Sequence, residues 1–328
     1  MQVQPFFLIG YKTKVLQGSG RKIEIDEGKL AIFKKKLLGQ GHFGKAFEGT
    51  YDGKPCAIKV PHESMQAESE MFYKEVQIGI VASLTKEENN AVKLMGFSSN
   101  SKYIIMELYG VTLKDYMKND LQGKPFDFAI KLALLCSFAL KKLHEKGIVH
   151  LDVAARNFFM RDLYPYIGDF GLSEFVMNEM LSMLPSAGVA YPTFSSAPEL
   201  LLQHKFGKCS DVYSYGILLW EILSGSDYHS FCIRQDAHKQ AYRSSGNSVA
   251  FPPDYAQMFV ESVSKGQRSP PINVKWPKEV QVLIRQCLDI DPVNRPTMEE
   301  VNSKLNTLLS DIENGNVSFV SCVVIAVP

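Results

Sequence analysis

The sequence predicts an α+β fold in two parts: a small β-rich part with one main helix, then a larger, mainly helical part. Two observations carry this. Between positions 30 and 108 short apolar runs alternate with polar residues and are broken by turn signals, the pattern of half-buried strands. From Thr112 onward apolar residues recur at helical spacing. A chain of 328 residues has ample core for two such parts.

Composition narrows the function. Apolar residues make up 45% of the chain, as in an ordinary globular protein, and the net charge of +1 gives no reason to expect a nucleic-acid or membrane partner. Cys56, Cys136, Cys209, Cys232, Cys287 and Cys322 are scattered without the spacing of a zinc site or a disulfide framework, so buried reduced thiols are expected. The apolar patch at 6–9 lacks the basic leader and the length of a secretion signal. No stretch approaches the roughly 18–20 apolar residues of a membrane span. A cytoplasmic protein without a membrane span is the expectation.

Residues 1–29 read as an N-terminal extension, with a linker-like run at 17–21 and an alternation at Ile23 and Ile25 that is a candidate short strand. A strand over 30–38 then runs into G-Q-G-H-F-G at 39–44. Two readings stand for this loop: a dinucleotide-binding turn, which must open a helix, or a glycine loop carried between strands. The residues after Gly44 alternate, reach the hairpin signal Asp52-Gly53 and continue as a strand over 55–60, which favours the second.

Lys59 lies in that apolar strand, where an ammonium is costly unless paired; the bland alternative is an edge lysine facing water. A helix over 68–84 presents Phe72, Val76, Ile80 and Leu84 on one face, with Glu75 beside it as the candidate partner. Glu68 and Glu70 sit nearer the helix start, where acids simply suit the dipole. Strands over 91–97 and 102–108 flank a turn at 98–101. Helices over 113–117 and 126–146 follow, the second with Ala129, Leu132, Cys136, Leu140 and Leu143 on a broad buried face.

That helix leads to I-V-H-L-D-V-A-A-R-N at 148–157, the stretch on which the functional reading turns. A β-type pair delivers His150 and Asp152, and Arg156 and Asn157 follow within one turn of loop. A hairpin over 158–167 ends in G-D-F-G at 168–171, and A-P-E stands at 197–199. By itself the ten-residue stretch could be an ordinary loop after a helix.

In this order the motifs resemble those of a protein kinase, over residues 30–310: the glycine loop, A-I-K, the helix glutamate, H-x-D-x-x-x-x-N, D-F-G and A-P-E. The resemblance implies the bilobal protein kinase fold, with an N-lobe over 30–109, a C-lobe over 110–310 and a C-terminal tail over 311–328. It implies ATP and Mg²⁺. Gly39, Gly41, Phe43 and Gly44 would cover the phosphates, with Phe43 at the tip of the loop. Ala57 would line the nucleotide site, and Lys59 would clamp the phosphates, held by Glu75. Met106 would be the gatekeeper, with Glu107, Leu108 and the residues to Gly110 as the hinge. Asp152 would be the base, with Arg156 beside it, and Asn157 and Asp169 the metal ligands. Glu199, Arg295 and Asp211 would be scaffold: an ion pair, and a brace for the catalytic loop.

Within the family the chain resembles cytoplasmic tyrosine kinases of the Src, Abl and Fes/Fer kind. Ala154 stands where serine/threonine kinases usually carry lysine, and Arg156 stands four residues after the aspartate. Protein substrates presenting tyrosine are therefore implied, and no phosphotyrosine-reading module is evident. Three departures stand out. Leu151 replaces the arginine of H-R-D. Phe194 and Ser195 replace the basic residue and tryptophan that follow the proline, here Pro192, of the substrate-docking loop. The activation segment's one tyrosine, Tyr191, lies past the usual autophosphorylation position. The alternatives are a pseudokinase scaffold and a kinase with serine/threonine or dual preference. Two further stretches are assigned no function: a polar run over 228–253, expected to be an exposed insertion, and the apolar, β-branched end over 318–328, for which packing as a strand, docking on a lobe and an aggregation-prone end all stay open.

Overall fold

The computed structural model describes residues 23–41, 44–62, 69–83, 90–177, 180–184, 191, 194–235, 255–267, 269–317 and 324. Phe43, Glu68, Leu84, Pro192 and Cys322 lie outside the described residues, as do residues 1–22, the stretch 236–254 and all of the apolar end except Val324. The chain divides into two compact units, Met1–Tyr109 and Gly110–Pro328.

Among its described residues the first unit is an antiparallel sheet with one α-helix. Its strands are β1 (Leu30–Gln40), β2 (Gly44–Tyr51), β3 (Lys54–Pro61), β4 (Leu94–Ser98) and β5 (Tyr103–Glu107), in the spatial order β1-β2-β3-β5-β4. Asp52 and Gly53 both have positive φ, 49° and 75°, the conformation a two-residue hairpin between right-twisted strands requires. Cys56, Ile58 and Ile105 are fully buried, packed under Ile25, Leu30 and Ile32. Val76 and Ile80 of α1 (Ser69–Ser83) pack against Phe97 and Ile104. Ile78 and Ala82 are also fully buried, so α1 hides a wider arc than its i, i+4 stripe suggests.

The sheet begins upstream of Leu30. The Ile25 amide donates to the Phe97 carbonyl at 2.9 Å, and the Phe97 amide to the Ile23 carbonyl at 3.0 Å. Gly96 permits this approach: a Cβ there would lie 2.5 Å from Ile25 Cγ2 and 2.6 Å from the Ile23 oxygen. Residues 23–25 thus cover the open edge of β4, although the sequence reading set them in the extension.

The second unit is mainly helical. Its helices are α2 (Leu113–Asn119), α3 (Phe126–Glu145), α4 (Pro198–Gln203), α5 (Lys208–Ser224), α6 (Tyr228–Gln235), α7 (Tyr255–Ser264), α8 (Lys278–Cys287) and α9 (Met298–Glu313). Short strands pair as β6 (Ile148–Val149) with β9 (Glu174–Phe175), β7 (Phe158–Arg161) with β8 (Tyr164–Ile167), and β10 (Ser182–Met183) with β11 (Lys205–Phe206). Helix α5 is the axis: from Ser210 to Ser224 every residue but Glu221 is buried. Its Tyr215 hydroxyl donates to the Ala133 carbonyl of α3 at 2.8 Å. Gly216 brings α5 against α8, since a Cβ there would lie 2.7 Å from Cys287 Cβ.

The run from 228 does not begin as an exposed insertion. Tyr228 and Cys232 are 1% and 0% exposed, and Tyr228 stacks on Phe231 with ring centroids 5.9 Å apart. These three residues, at i, i+3 and i+4, form an apolar stripe on α6; His229 and Ser230 between them disguise it. Of the cysteines, Cys56, Cys136, Cys232 and Cys287 are buried and unbridged, and Cys209 is half-buried.

Candidate active site

In the first unit β3 carries Lys59 opposite Ile104, and Ala57 opposite Met106. Lys59 Nζ meets Glu75 Oε1 of α1 at 2.6 Å, with side chains 15% and 13% exposed. Glu70, one of the weighed alternatives, is exposed. The partial burial of Lys59 is thus matched by an opposite charge, as a lysine in an apolar strand requires. Of the loop glycines, Gly44 is sterically fixed: a Cβ there would collide with the Val60 carbonyl. Gly39 and Gly41 have nothing within 4 Å of where a Cβ would sit. The Gly41 amide donates to the Gly44 carbonyl at 2.9 Å, closing the base of the loop. Met106 is half-buried against the Val76–Phe97 cluster. Glu107 pairs with Lys93 at 2.6 Å, and its amide donates to the Lys93 carbonyl at 2.9 Å. Leu108 follows, half-buried.

In the second unit the buried carboxylate of Asp211 organises the loop after β6. It accepts from the amides of His150 at 2.7 Å and Leu151 at 2.8 Å, and lies 2.9 Å from His144 Nε2. Leu151 is held at φ 62°, a left-handed backbone that costs on the order of 1–3 kcal/mol for a residue with a Cβ. The Asp152 amide donates to His150 Nδ1 at 3.2 Å, which leaves the ring proton on Nε2 to be donated to the Gly168 carbonyl at 3.0 Å. The His150 ring also packs on Phe170 at 5.5 Å. His150 therefore links the 150–152 turn to Gly168 and Phe170, on either side of Asp169.

The Asp152 carboxylate projects from this turn, its side chain 12% exposed. One oxygen accepts from the Arg156 guanidinium; the other accepts from Asn157 Nδ2 at 2.7 Å. Asn157 Nδ2 also donates to the Asp152 carbonyl at 2.8 Å. Both amide hydrogens of Asn157 are thus directed at Asp152, which turns its Oδ1 the other way. The Asn157 carbonyl accepts from the Gly168 amide at 2.9 Å, so the residue before Asp169 is tied to Asn157. Asp169 itself has φ 61° and ψ 74°. Asp152, Arg156, Asn157 and Asp169 are brought together; Lys59 and Glu75 are brought together within the first unit.

Around this core the scaffold pairs form. Arg295 meets Glu199 through two parallel bonds, Nη1 to Oε1 at 2.8 Å and Nη2 to Oε2 at 2.9 Å, with both side chains buried. Ser210 donates to the same carboxylate at 2.8 Å. Leu151 is 3% exposed and has no cationic group to offer. Phe194 is turned inward, its ring 4.7 Å from His229 and 5.3 Å from Phe259.

A cavity of about 950 Å³ lies beside Arg156. Its walls include Lys114, Gln122, Tyr191, Phe194, Glu221 and Gly225. Burial pushes the Glu221 carboxyl up to about 7, although it accepts from the Tyr228 amide at 2.9 Å. Burial also holds the Tyr191 phenol above its usual range. Sequence reasoning passed over Glu221; the signal was an acid inside a helix otherwise made of buried residues.

The profile of the family described as protein tyrosine and serine/threonine kinase matches residues 32–305. The chain is 27% identical over 285 residues to a dual specificity protein kinase, shkE, of Dictyostelium discoideum. It is 29% identical over 278 residues to the mouse tyrosine-protein kinase Srms, and 30% identical over 284 residues to the mouse tyrosine-protein kinase Fer. These alignments take in 85%, 84% and 83% of this chain but 36%, 51% and 30% of those proteins, so the chain spans about half their length or less. No described helix is long and apolar enough to cross a membrane. With its sheet-and-helix first unit, its helical second unit and a matched span of residues 32–305, the chain belongs to the protein tyrosine and serine/threonine kinase family.

Proposed function

We propose that this chain is a cytoplasmic protein-tyrosine kinase that transfers the γ-phosphate of ATP to tyrosine hydroxyls of protein substrates. The observation that carries the reading is the Asp152 carboxylate, fixed between Arg156 and Asn157 at the end of a turn braced by Asp211. Phosphoryl transfer asks a protein mainly for positioning and for charge facing the phosphates. Asp152 orients the attacking hydroxyl and accepts its proton. Arg156, four residues on, steers that carboxylate; an arginine here rather than a lysine two residues on is what favours tyrosine. Lys59, held by Glu75, clamps the α- and β-phosphates, Gly39 and Gly41 leave room for them, and Met106, Glu107 and Leu108 border the adenine. The cavity beside Arg156 receives the substrate segment.

The donor set suits Mg²⁺, which takes one or two protein oxygens and completes its shell with phosphates and water. Asn157 Oδ1 and an Asp169 carboxylate oxygen would hold it, where it neutralises phosphate charge. Among the described residues no group of three or more His, Cys, Asp or Glu could hold a metal without such help.

A second reading, dual or serine/threonine preference, is favoured by the inward turn of Phe194 in the docking loop and by the dual-specificity name of one relative. A pseudokinase scaffold would need neither the Lys59 pair nor the Asp152 cluster. The deciding experiment is transfer of labelled γ-phosphate, with Mg²⁺, to a mixed Tyr/Ser/Thr peptide library. Labelling of tyrosine alone supports the first reading, labelling of Ser/Thr with or without tyrosine the second, and no labelling the scaffold.

A further inference from the structure

Val324 belongs to no catalytic motif, yet it is only 1% exposed. Its amide donates to the Lys124 carbonyl at 3.0 Å, and its carbonyl accepts from the Gly123 amide at 2.9 Å. Both bonds fall on the turn between α2 and α3. The side chain lies over Gly225, the left-handed residue with φ 63° that ends α5, where a Cβ would sit 2.8 Å from Val324 Cγ1 and would collide with Gln122 Nε2. Gln122 Nε2 donates to the Gly225 carbonyl at 2.9 Å. Three segments remote in sequence therefore meet at one place. Two of the residues there, Gln122 and Gly225, also form the wall of the cavity that holds Arg156.

We propose that the groove formed by residues 121–124 and Gly225 is a docking site for this chain's own C-terminal segment, entered by Val324. Docked, the segment fixes Gln122 against Gly225 and so sets the cavity wall on which the peptide substrate rests. The chemistry of the site suits an extended, β-branched segment: main-chain donors and acceptors on one side and a pocket for one apolar side chain over a glycine. Val324 touches no reacting group; it is a positioning residue. The idea rests on reading the cavity as the substrate site.

The test uses the full chain, its Val324→Asp variant and a chain ended after Val317. Amide exchange of Gly123, and steady-state KM and kcat for peptide and for ATP, are measured in each. Gly123 exchange should quicken at least tenfold in both altered proteins. Peptide KM should rise about fivefold, with kcat and the KM for ATP within twofold of wild type. Adding a synthetic peptide of residues 318–328 to the shortened chain should restore both, which keeps the test alive if Val324→Asp does not fold. Unchanged Gly123 protection would overturn the docking. Lost protection with unchanged peptide KM would overturn its role at the cavity. If wild type labels no peptide, the kinase reading fails, while the exchange data still decide the docking.

Discussion

Asp211 Oδ1 accepts the Leu151 amide at 2.8 Å, and Leu151 is the residue that turns the chain through a left-handed conformation immediately before Asp152. The carboxylate also takes the His150 amide and faces His144, so one buried anion satisfies three donors. Asp211→Asn presents an amide nitrogen to at least one of them. It should destabilise the second unit by about 2–4 kcal/mol and lower turnover, read by denaturant unfolding and by peptide phosphorylation.

Asp152→Asn keeps the shape of the side chain and removes the proposed base. A positioned general base contributes on the order of 10²–10⁴-fold, so kcat should fall by that factor. Circular dichroism and the unfolding midpoint should stay near wild type, because the carboxylate is not part of the Asp211 brace. Wild-type turnover in this variant would reassign the base.

Glu221 sets a pH dependence. Its pKa in the folded chain is about 7, above the ordinary carboxylate value of 4.5 that it regains on unfolding. Between those values the folded protein holds a proton the unfolded chain has released, so stability falls as pH rises through that window and stays lower above it. Glu221→Gln keeps an acceptor for the Tyr228 amide and cannot ionise. It should be more stable than wild type at pH 8 by on the order of 1–2 kcal/mol, allowing for contact with water in the cavity. The gain should vanish near pH 4.5, as urea unfolding across pH would show.

Activity should not await phosphorylation of the activation segment. Leu151 cannot form the charge-assisted bonds by which a basic residue there would hold a phosphate. Ser173, one candidate acceptor, is fully buried and donates to the His150 carbonyl at 3.0 Å. Ser182 and Tyr191 are half-buried; Ser186 and Thr193 lie outside the described residues. Protein co-expressed with a phosphatase, and shown unmodified by mass spectrometry, should match the initial rate of protein preincubated with ATP. A lag, or a tenfold rise that tracks a new phosphate within 169–199, would count against this.

How much was legible depended on whether the signal was local. Asp52-Gly53 names its own turn, and the spacing of Phe72, Val76 and Ile80 names a helix face; both could be read without a partner. Glu75 could be read because a lysine in an apolar strand demands an opposite charge. Ile23 and Ile25 were harder, because their pairing depends on Gly96, over seventy positions away, having no side chain. The apolar stripe of α6 was diluted by polar neighbours, and only burial against Trp220 reveals it. The cavity was out of reach because its wall is assembled from α2, the catalytic loop, the docking loop and the end of α5, with no motif spanning them.

The ion pair between Glu199 and Arg295 joins positions 96 apart in the chain. At a synthesis rate of 5–20 residues per second the second partner emerges on the order of 5–20 seconds after the first. Until then the Glu199 carboxylate has no counter-ion for the pocket in which it ends, and an unpaired charge resists burial. The close of the activation segment is therefore a late event on the ribosome. A nascent chain stalled before Arg295 should leave the segment around Glu199 open to protease and available to chaperones.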